Sequence, residues 1–408
     1  MKSFDIVVIG GGPAGMFAAA TASNKGKSVL LLDKNNILGR KLRITGKGRC
    51  NITNATEISE FFENIPTNPK FLYSALYGFT GQDMVSFLEK QGVPCKTERG
   101  ARVFPVSDKA HDVANALADF VKKSGVTYYQ AKAKDVVAKD GKVCGVITDK
   151  GKIDCDAVII ATGGMSYPLT GSTGDGYKFA ESLGHTIISP RGALVPMESD
   201  DAVCAELKGL TLKNVSVTMT DLNGKSIGEE FGELLFAHFG LTGPVILSLS
   251  SWAPRNEDFI ISVDLKPALI DEQLDARILR DFAKFSNKQL CNALVELLPK
   301  SMIEPVLKKA ELDNRKVVNT ITKKERQALL YTLKNFKIKC KGLRPIEEAI
   351  VTGGGVCVKE VNPSTMQSKK IKGLYFAGEV LDVDAYTGGF NLQIAYSTGI
   401  LAGENAAN

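Results

Sequence analysis

Residues 6–15 read IVVIGGGPAG and residues 28–33 read SVLLLD. The apolar run Ile6 to Ile9 predicts a buried strand, and Gly10-x-Gly12-x-x-Gly15 follows it at once. The second apolar run, Ser28 to Leu32, ends in Asp33. Strand, glycine turn, helix, strand and acid, in that order, make a dinucleotide-binding βαβ unit. Gly10 allows the tight turn, Gly12 lets backbone approach a pyrophosphate, and Gly15 lets the helix pack on the strand. Pro13 falls in the first helical turn, where its missing N–H costs nothing, and Pro13 and Ala14 are expected among the cofactor-binding residues. The helix N-terminus offers N–H groups to the phosphates. Asp33 is placed to accept hydrogen bonds from ribose hydroxyls and would repel a 2′-phosphate.

The bulk numbers bound the rest. At 408 residues the chain is long for one core and predicts two or three domains. Its 44% hydrophobic and 24% charged residues are ordinary for a globular protein. A net charge of +6 suits an anionic cofactor or substrate and is too mild to argue for nucleic acid. The apolar stretch 6–22 belongs to the nucleotide fold rather than to a leader, and no other stretch approaches the ~20 apolar residues of a membrane helix. A cytoplasmic protein is expected, with no membrane partner. The eight cysteines are scattered without metal-ligand spacing, and there are three histidines, so no metal site is expected.

Residues 37–54, ILGRKLRITGKGRCNITN, interleave Gly39, Gly46 and Gly48 with Arg40, Lys41, Lys47 and Arg49. That mixture reads as a loop making phosphate and ring contacts. Beyond it, Phe71 to Gln91 and Asp112 to Ser124 read as helices. Val126 to Tyr129 and Val143 to Thr148 read as strands, with Asp140-Gly141 as a hairpin turn. Residues 156–161, DAVIIA, predict a buried strand running into Thr162-Gly163-Gly164. Past Pro190 alternating strands follow, with a hairpin signal at Asn223-Gly224 and another strand over Phe259 to Leu265. Residues 271–334 switch to helical periodicity, and Thr322-x-x-Glu325 is a capping box. The expected domains are 1–190 with 346–408, 191–270 with 335–345, and a helical insert over 271–334. The insert carries Lys308, Lys309, Arg315, Lys316, Lys323, Lys324 and Arg326, read mainly as a solvated face that makes nucleic acid an unlikely partner.

These motifs, with IIATGG, TGDG, VTGGGV and residues 374–393 (LYFAGEVLDVDAYTGGFNLQ), resemble the BaiN-like flavoproteins throughout the chain. That family is related to the succinate dehydrogenase and fumarate reductase flavoprotein class and includes reductases of unsaturated oxo-steroids and an aminoacetone oxidase. The resemblance implies an α/β fold: a Rossmann-like FAD domain of the two-dinucleotide-domain flavoprotein type, with an inserted β-rich domain that carries a small helical domain. It implies one FAD held by both ends of the chain. Gly10, Gly12 and Gly15 would meet the pyrophosphate, and Asp33 with Lys34 the adenosine side. Arg40 and Lys41 would lie along the phosphates, with Gly39, Gly46, Gly48 and Asn51 in the same loop. Ala133 would contact adenine through its backbone, beside Thr162 and Gly163. Asp175, Gly378 and Glu379 would face the ribose and ribityl chain. Gly389, Phe390, Asn391 and Leu392 would open a helix toward the flavin pyrimidine ring, where reduction builds negative charge.

The departures carry expectations of their own. No histidine lies in Ile37 to Asn54, so the FAD should be noncovalent. DVDAYTGGFN replaces the dicarboxylate-binding pattern of the succinate enzymes. Cys50 has no paired cysteine near it in sequence and reads as a small buried residue. Thr352-Gly353-Gly354-Gly355 lacks the helix and acid of a nicotinamide domain and reads as a flavin-side loop, so NAD(P)H would visit only transiently. The expected enzyme is an FAD-dependent oxidoreductase of a small organic molecule. Reduction of a conjugated C=C bond, oxidation of an amine by oxygen, and action on RNA are the alternatives. His238 is the candidate acid, in a middle domain that the resemblance lays over the flavin, against a reading as a hydrogen-bonded core histidine. Tyr386 and Asp384 are the next candidates, and His111 and His185 read as surface or packing residues.

Overall fold

The computed structural model describes residues 3–254 and 257–408. The chain folds as two compact units, one running to Ala193 and resuming at Ile346, the other spanning Leu194–Pro345.

In the first unit the strand Ser3–Ile9 lies parallel to Val29–Asp33, with Ile6 opposite Val29 and Ile9 opposite Leu32. Its other side pairs in parallel with Gly151–Ile160. That long strand also receives Leu374–Phe376 in parallel, Leu374 opposite Val158. The N-terminal and C-terminal motifs, more than 360 residues apart, therefore flank one central strand. Val7, Val8, Leu31, Val158, Ile159 and Phe376 are fully buried, as parallel strands covered on both faces require.

The helix Pro13–Asn24 crosses between the first two strands with Pro13 in its first turn. The terminal helix Phe390–Ala406 packs against it with almost no separation. A Cβ on Gly399 would lie 2.4 Å from the Ala14 carbonyl oxygen, and one on Gly403 would lie 2.4 Å from that of Ala18. Glycines one turn apart admit this approach, and any larger residue would force the helices apart.

Three local readings are corrected here. Phe71 to Gln91 is not one helix: Tyr73–Gly78 ends at an extended Phe79, and Gly81–Lys90 starts afresh. Thr80 and Asp83 form a reciprocal capping box, so the second helix carries its own start signal. Thr352-Gly353-Gly354-Gly355 is not a loop. It is part of the fully buried strand Val351–Val356, antiparallel to Ile187–Ala193. Gly354 takes φ +83°, and its Cβ would lie 2.6 Å from the Ser189 carbonyl oxygen, beside a break in register. Glycines there serve strand packing. The Asp140-Gly141 turn does form, both residues at positive φ, joining Ala133–Lys139 to Lys142–Thr148.

The second unit is an antiparallel sheet whose longest pairing joins Thr211–Thr220 to Ser226–Ala237. Val217, Met219, Ile261, Val263 and Ile338 alternate inward along three neighbouring strands. The helices Asp271–Lys284 and Lys323–Lys334 bury Leu274, Ile278, Leu329 and Leu333 in that same apolar cluster. The helical stretch set apart in the sequence reading thus shares the core of the sheet, because its apolar stripe has no other surface to cover. Among the described residues no helix is long and apolar enough to cross a membrane.

Candidate cofactor cradle

Four parallel strands of the first unit end at one edge of their sheet, so the segments that follow them converge: Gly10–Gly12, Asp33–Asn35, Ala161–Gly164 and Ala377–Glu379. Ligands of open α/β sheets bind outside such carboxyl ends. The three fingerprint glycines separate sharply by surroundings. A Cβ on Gly10 would lie 2.4 Å from the Ala161 carbonyl oxygen, and one on Gly15 would lie 1.8 Å from that of Gly10. Those two are needed by the protein's own packing. Gly12 has φ −78°, which any residue adopts, and a Cβ there meets nothing within 4 Å. The protein's own packing does not require glycine at position 12, and the space beside it is open to an incoming group.

The helix behind Gly12 has no side-chain cap and no acid in its first turn. Its N–H groups are left for an anion, which suits a pyrophosphate. Asp33 ends the second strand, and its Oδ2 accepts from the Gly11 N–H at 2.6 Å while Oδ1 accepts from the Asn35 N–H at 2.7 Å. The acid therefore pins the glycine turn. Ala131 donates to the Asp33 carbonyl at 3.0 Å, which brings the start of Ala133–Lys139 beside the same corner. Tyr128 was passed over as an ordinary strand residue. Its hydroxyl donates to the Asn35 carbonyl at 2.6 Å, and its pKa is raised by burial and by the nearby Asp33 charge.

The basic loop is used differently from its reading. Arg49 turns away to Glu98 and Asp108 and lies over the Phe104 ring at 4.2 Å. Arg40 is exposed and donates to Asn35 Oδ1 at 2.9 Å. Gly46, Lys47 and Gly48 run in succession at positive φ, which explains two of the three glycines by backbone conformation. Gly39 is also at positive φ. Asn51 serves the chain itself: with its amide turned to suit its neighbours, Oδ1 accepts from the Gly389 N–H at 3.1 Å. Cys50 is fully buried, and burial pushes its thiol up to about 12, so it is an inert packing residue.

Lys41 and Glu379, 338 positions apart, form an ion pair at 3.0 Å with each side chain about one-fifth exposed. Ser166 bonds both, accepting from Lys41 at 2.7 Å and donating to Glu379 at 3.1 Å. The Thr352 N–H donates to Glu379 at 2.9 Å, and Thr352 Oγ1 accepts from the Met165 N–H at 2.8 Å. Lys34 pairs with Asp175 at 2.8 Å and donates to Thr173 at 2.6 Å. For Asp175 burial acts upward, but Lys34 and Thr173 outweigh it and hold the carboxyl below its usual range. Ser166 carried no sequence signal, because its partners Lys41 and Glu379 lie in distant segments. Tyr177 completes this wall: its hydroxyl is buried without a hydrogen-bond partner among the described residues, and burial, with the charges of Glu379 and Asp382, raises its pKa.

Gly378 and Gly389 are at positive φ, and a Cβ on Gly389 would lie 2.4 Å from the Thr53 backbone. Gly389 starts the terminal helix with no side-chain cap, leaving Phe390, Asn391 and Leu392 in its first turn. The Asn391 side chain donates to the Ala385 carbonyl at 2.6 Å and accepts from its N–H at 2.9 Å, so it shapes the preceding loop. The open space at Gly12, two uncapped helix starts and the orphan Tyr177 hydroxyl fit an FAD with its pyrophosphate on the first helix. Thr162, Gly163 and Gly164 belong to the same wall: a Cβ on Gly164 would lie 2.3 Å from Thr352 Oγ1.

The histidines fall into three different settings. His111 is exposed, with Arg43 at 3.1 Å. His238 is exposed in the turn between Ser226–Ala237 and Gly240–Thr242, with its ring against Phe239, so the reading as a core histidine fails. His185 is buried, with Nε2 2.8 Å from Ser368 and Nδ1 3.3 Å from Glu360 without hydrogen-bond geometry. Burial lowers its pKa, with Glu360 opposing and Lys370 assisting. A histidine kept neutral in the fold takes up a proton more readily when unfolded. Stability is therefore intact above about pH 6.5 and falls as pH drops below it. Thermal melts between pH 7.5 and 5 should show this decline in the wild type and a flatter profile in His185→Gln.

A family model described as HI0933-like protein Rossmann domain matches residues 4–405. The chain belongs to this HI0933-like family. The resemblance read from the motifs lies within it, and the chain is an enzyme with the fold of the FAD-dependent oxidoreductases. It is 34% identical to the ribosomal RNA dihydrouridine synthase of Escherichia coli, over 98% of this chain and 96% of that one. It is 28% identical to the 3-dehydro-bile acid delta(4,6)-reductase of Clostridium scindens, over 98% of each. Among solved structures, the 3-ketosteroid-delta4-(5alpha)-dehydrogenase of Rhodococcus jostii RHA1 superposes with a TM-score of 0.51, covering all of this HI0933-like chain and 97% of that one. At 16% identity that likeness is one of fold alone.

Proposed function

We propose that this protein reduces the C5=C6 bond of a uridine in a structured RNA, using noncovalent FAD bound in the cradle around Gly12. The observation that carries the reading is the near full-length similarity to a ribosomal RNA dihydrouridine synthase. The small-molecule reading has its own support in the bile-acid reductase, also similar from end to end. One reaction class embraces both. Uracil C5=C6 is conjugated to the C4 carbonyl as a steroid alkene is conjugated to its ketone, so either substrate takes hydride at the β carbon and a proton at the α carbon. FAD, once reduced by a nicotinamide, supplies the hydride. The amine-oxidase alternative has no comparable support.

The chain's own part is to bind, orient and protonate. Gly12 and the first helix hold the pyrophosphate, and Asp33 selects a free 2′-hydroxyl on the adenosine side. Lys41 and Glu379 fix the wall along the ribityl chain. The first turn of the terminal helix stabilises negative charge on the flavin pyrimidine ring. Nicotinamide is the proposed electron donor, and the cytoplasm the proposed location. His238 is the proposed proton donor. His238→Gln should keep the fold and flavin colour, since the side chain is exposed, and should lower turnover by about 10²-fold or more. Tyr386→Phe is the matched comparison. Unchanged turnover in His238→Gln with a loss in Tyr386→Phe would move the role to the C-terminal loop.

The reading is tested by incubating the purified protein with NADPH and unmodified ribosomal RNA, then digesting the RNA to nucleosides for mass spectrometry. Dihydrouridine that depends on enzyme and NADPH supports it. Its absence, together with reduction of a free conjugated enone, would replace it with the small-molecule reading.

A further inference from the structure

The basic residues of the helical stretch do not behave as one solvated face. Lys309 pairs with Asp201 at 2.8 Å, Lys316 with Glu325 at 2.7 Å and Arg326 with Asp275 at 2.7 Å. Lys308 lies 3.9 Å from Glu206. Arg315, Lys323 and Lys324 are exposed and have no acidic partner within ion-pair distance among the described residues.

The backbone brings the segments that carry these three together. Residues 286–291 run against 314–319: Val318 donates to the Lys288 carbonyl, Leu290 to that of Lys316, and Cys291 to that of Asn314. Lys288, also exposed and without an acidic partner among the described residues, thereby joins Arg315, and Lys323 and Lys324 follow at the start of the next helix. Lys284 and Lys288 both stand over the Phe285 ring, at 5.1 Å and 4.8 Å. Of the acids in these segments, Glu296 is taken by Lys284 and Glu325 by Lys316.

Lys323 and Lys324 occupy the first turn of Lys323–Lys334. Cations there oppose the helix dipole, so folding alone would disfavour them. A polyanion laid across these lysines would offset that cost.

We infer that Lys288, Arg315, Lys323 and Lys324 form a contact surface for the phosphate backbone of RNA. This rests on the RNA reading given above and names the part of the chain that holds the partner. The contacts are phosphate contacts, which position an RNA without reading its sequence.

The test uses full-length FAD-loaded protein and a fluorescently labelled RNA hairpin, with affinity measured across a salt series. In the variant Lys288→Ala, Arg315→Ala, Lys323→Ala, Lys324→Ala, the slope of log affinity against log salt should become shallower by about 3, at some 0.7–0.9 per lost contact. The flavin spectrum and melting temperature should stay as in the wild type, which separates lost contact from lost fold. A charge-matched control replaces Lys122, Lys123, Lys139 and Lys142 of the first unit by Ala and should retain the wild-type slope. A four-site variant with the wild-type slope would overturn the inference and leave the RNA reading standing. Equal loss in the control, or binding to anionic vesicles without binding to RNA, would overturn it as well. A wild-type protein that does not bind the hairpin would remove both.

Discussion

Gly12→Val should purify folded and colourless. The Cβ at this position meets nothing within 4 Å in the protein, so the fold itself does not oppose a side chain starting there. The space it fills is the one proposed for the pyrophosphate. FAD affinity should fall by about 10²-fold or more, near 2.7 kcal/mol, while circular dichroism and the melting temperature of the apoprotein stay at wild-type values. Gly15→Ala should do the reverse. Its added methyl would lie 1.8 Å from the Gly10 carbonyl oxygen, and relief requires the helix to move off the strand. That overpacking should cost about 3 kcal/mol and appear as poor recovery of soluble protein whether or not FAD is supplied. If both variants lose stability alike, Gly12 is a packing glycine and the cradle loses its main support.

Glu379→Ala should be the most damaging single change along the cradle wall. It removes the partner of Lys41 and the acceptor of the Thr352 N–H, which lies in a fully buried strand. An orphaned buried donor and a half-buried unpaired ammonium together should destabilise the apoprotein by about 2–3 kcal/mol. Adding Lys41→Met should recover part of that loss, because the second charge then disappears with the first. A double-mutant cycle on chemical denaturation reads the coupling directly. Additive effects of the two changes would show that the pair contributes nothing to the wall.

What could be read from the sequence was what local chemistry writes there. The turn at Gly10, the Pro13 helix start, the Asp140-Gly141 hairpin and the Thr322 capping box each follow from a few adjacent residues. The convergence of both chain ends could be read as well, because each end carries its own glycine-rich signature. Pairings across the chain were not legible. Lys41 was assigned to phosphate and Glu379 to the ribityl chain, and neither motif shows that the two side chains bind each other. Arg49 likewise looked like a phosphate ligand until Glu98 and Asp108 were brought beside it. The glycines of Val351–Val356 resembled a ligand loop because close strand packing and ligand approach demand the same residue. Gly399 and Gly403, two glycines one helical turn apart, are a local signal of the close helix approach.

In the proposed function, electrons pass from the bound flavin to a uridine in RNA. Anaerobic single-turnover mixing tests it most directly: FAD-loaded protein, reduced with one equivalent of NADPH, meets unmodified ribosomal RNA in a stopped-flow cell. RNA should restore the oxidised flavin absorbance, and the recovered RNA should carry one dihydrouridine per flavin reoxidised. Flavin that stays reduced with RNA, yet is reoxidised by a free conjugated enone, would contradict it.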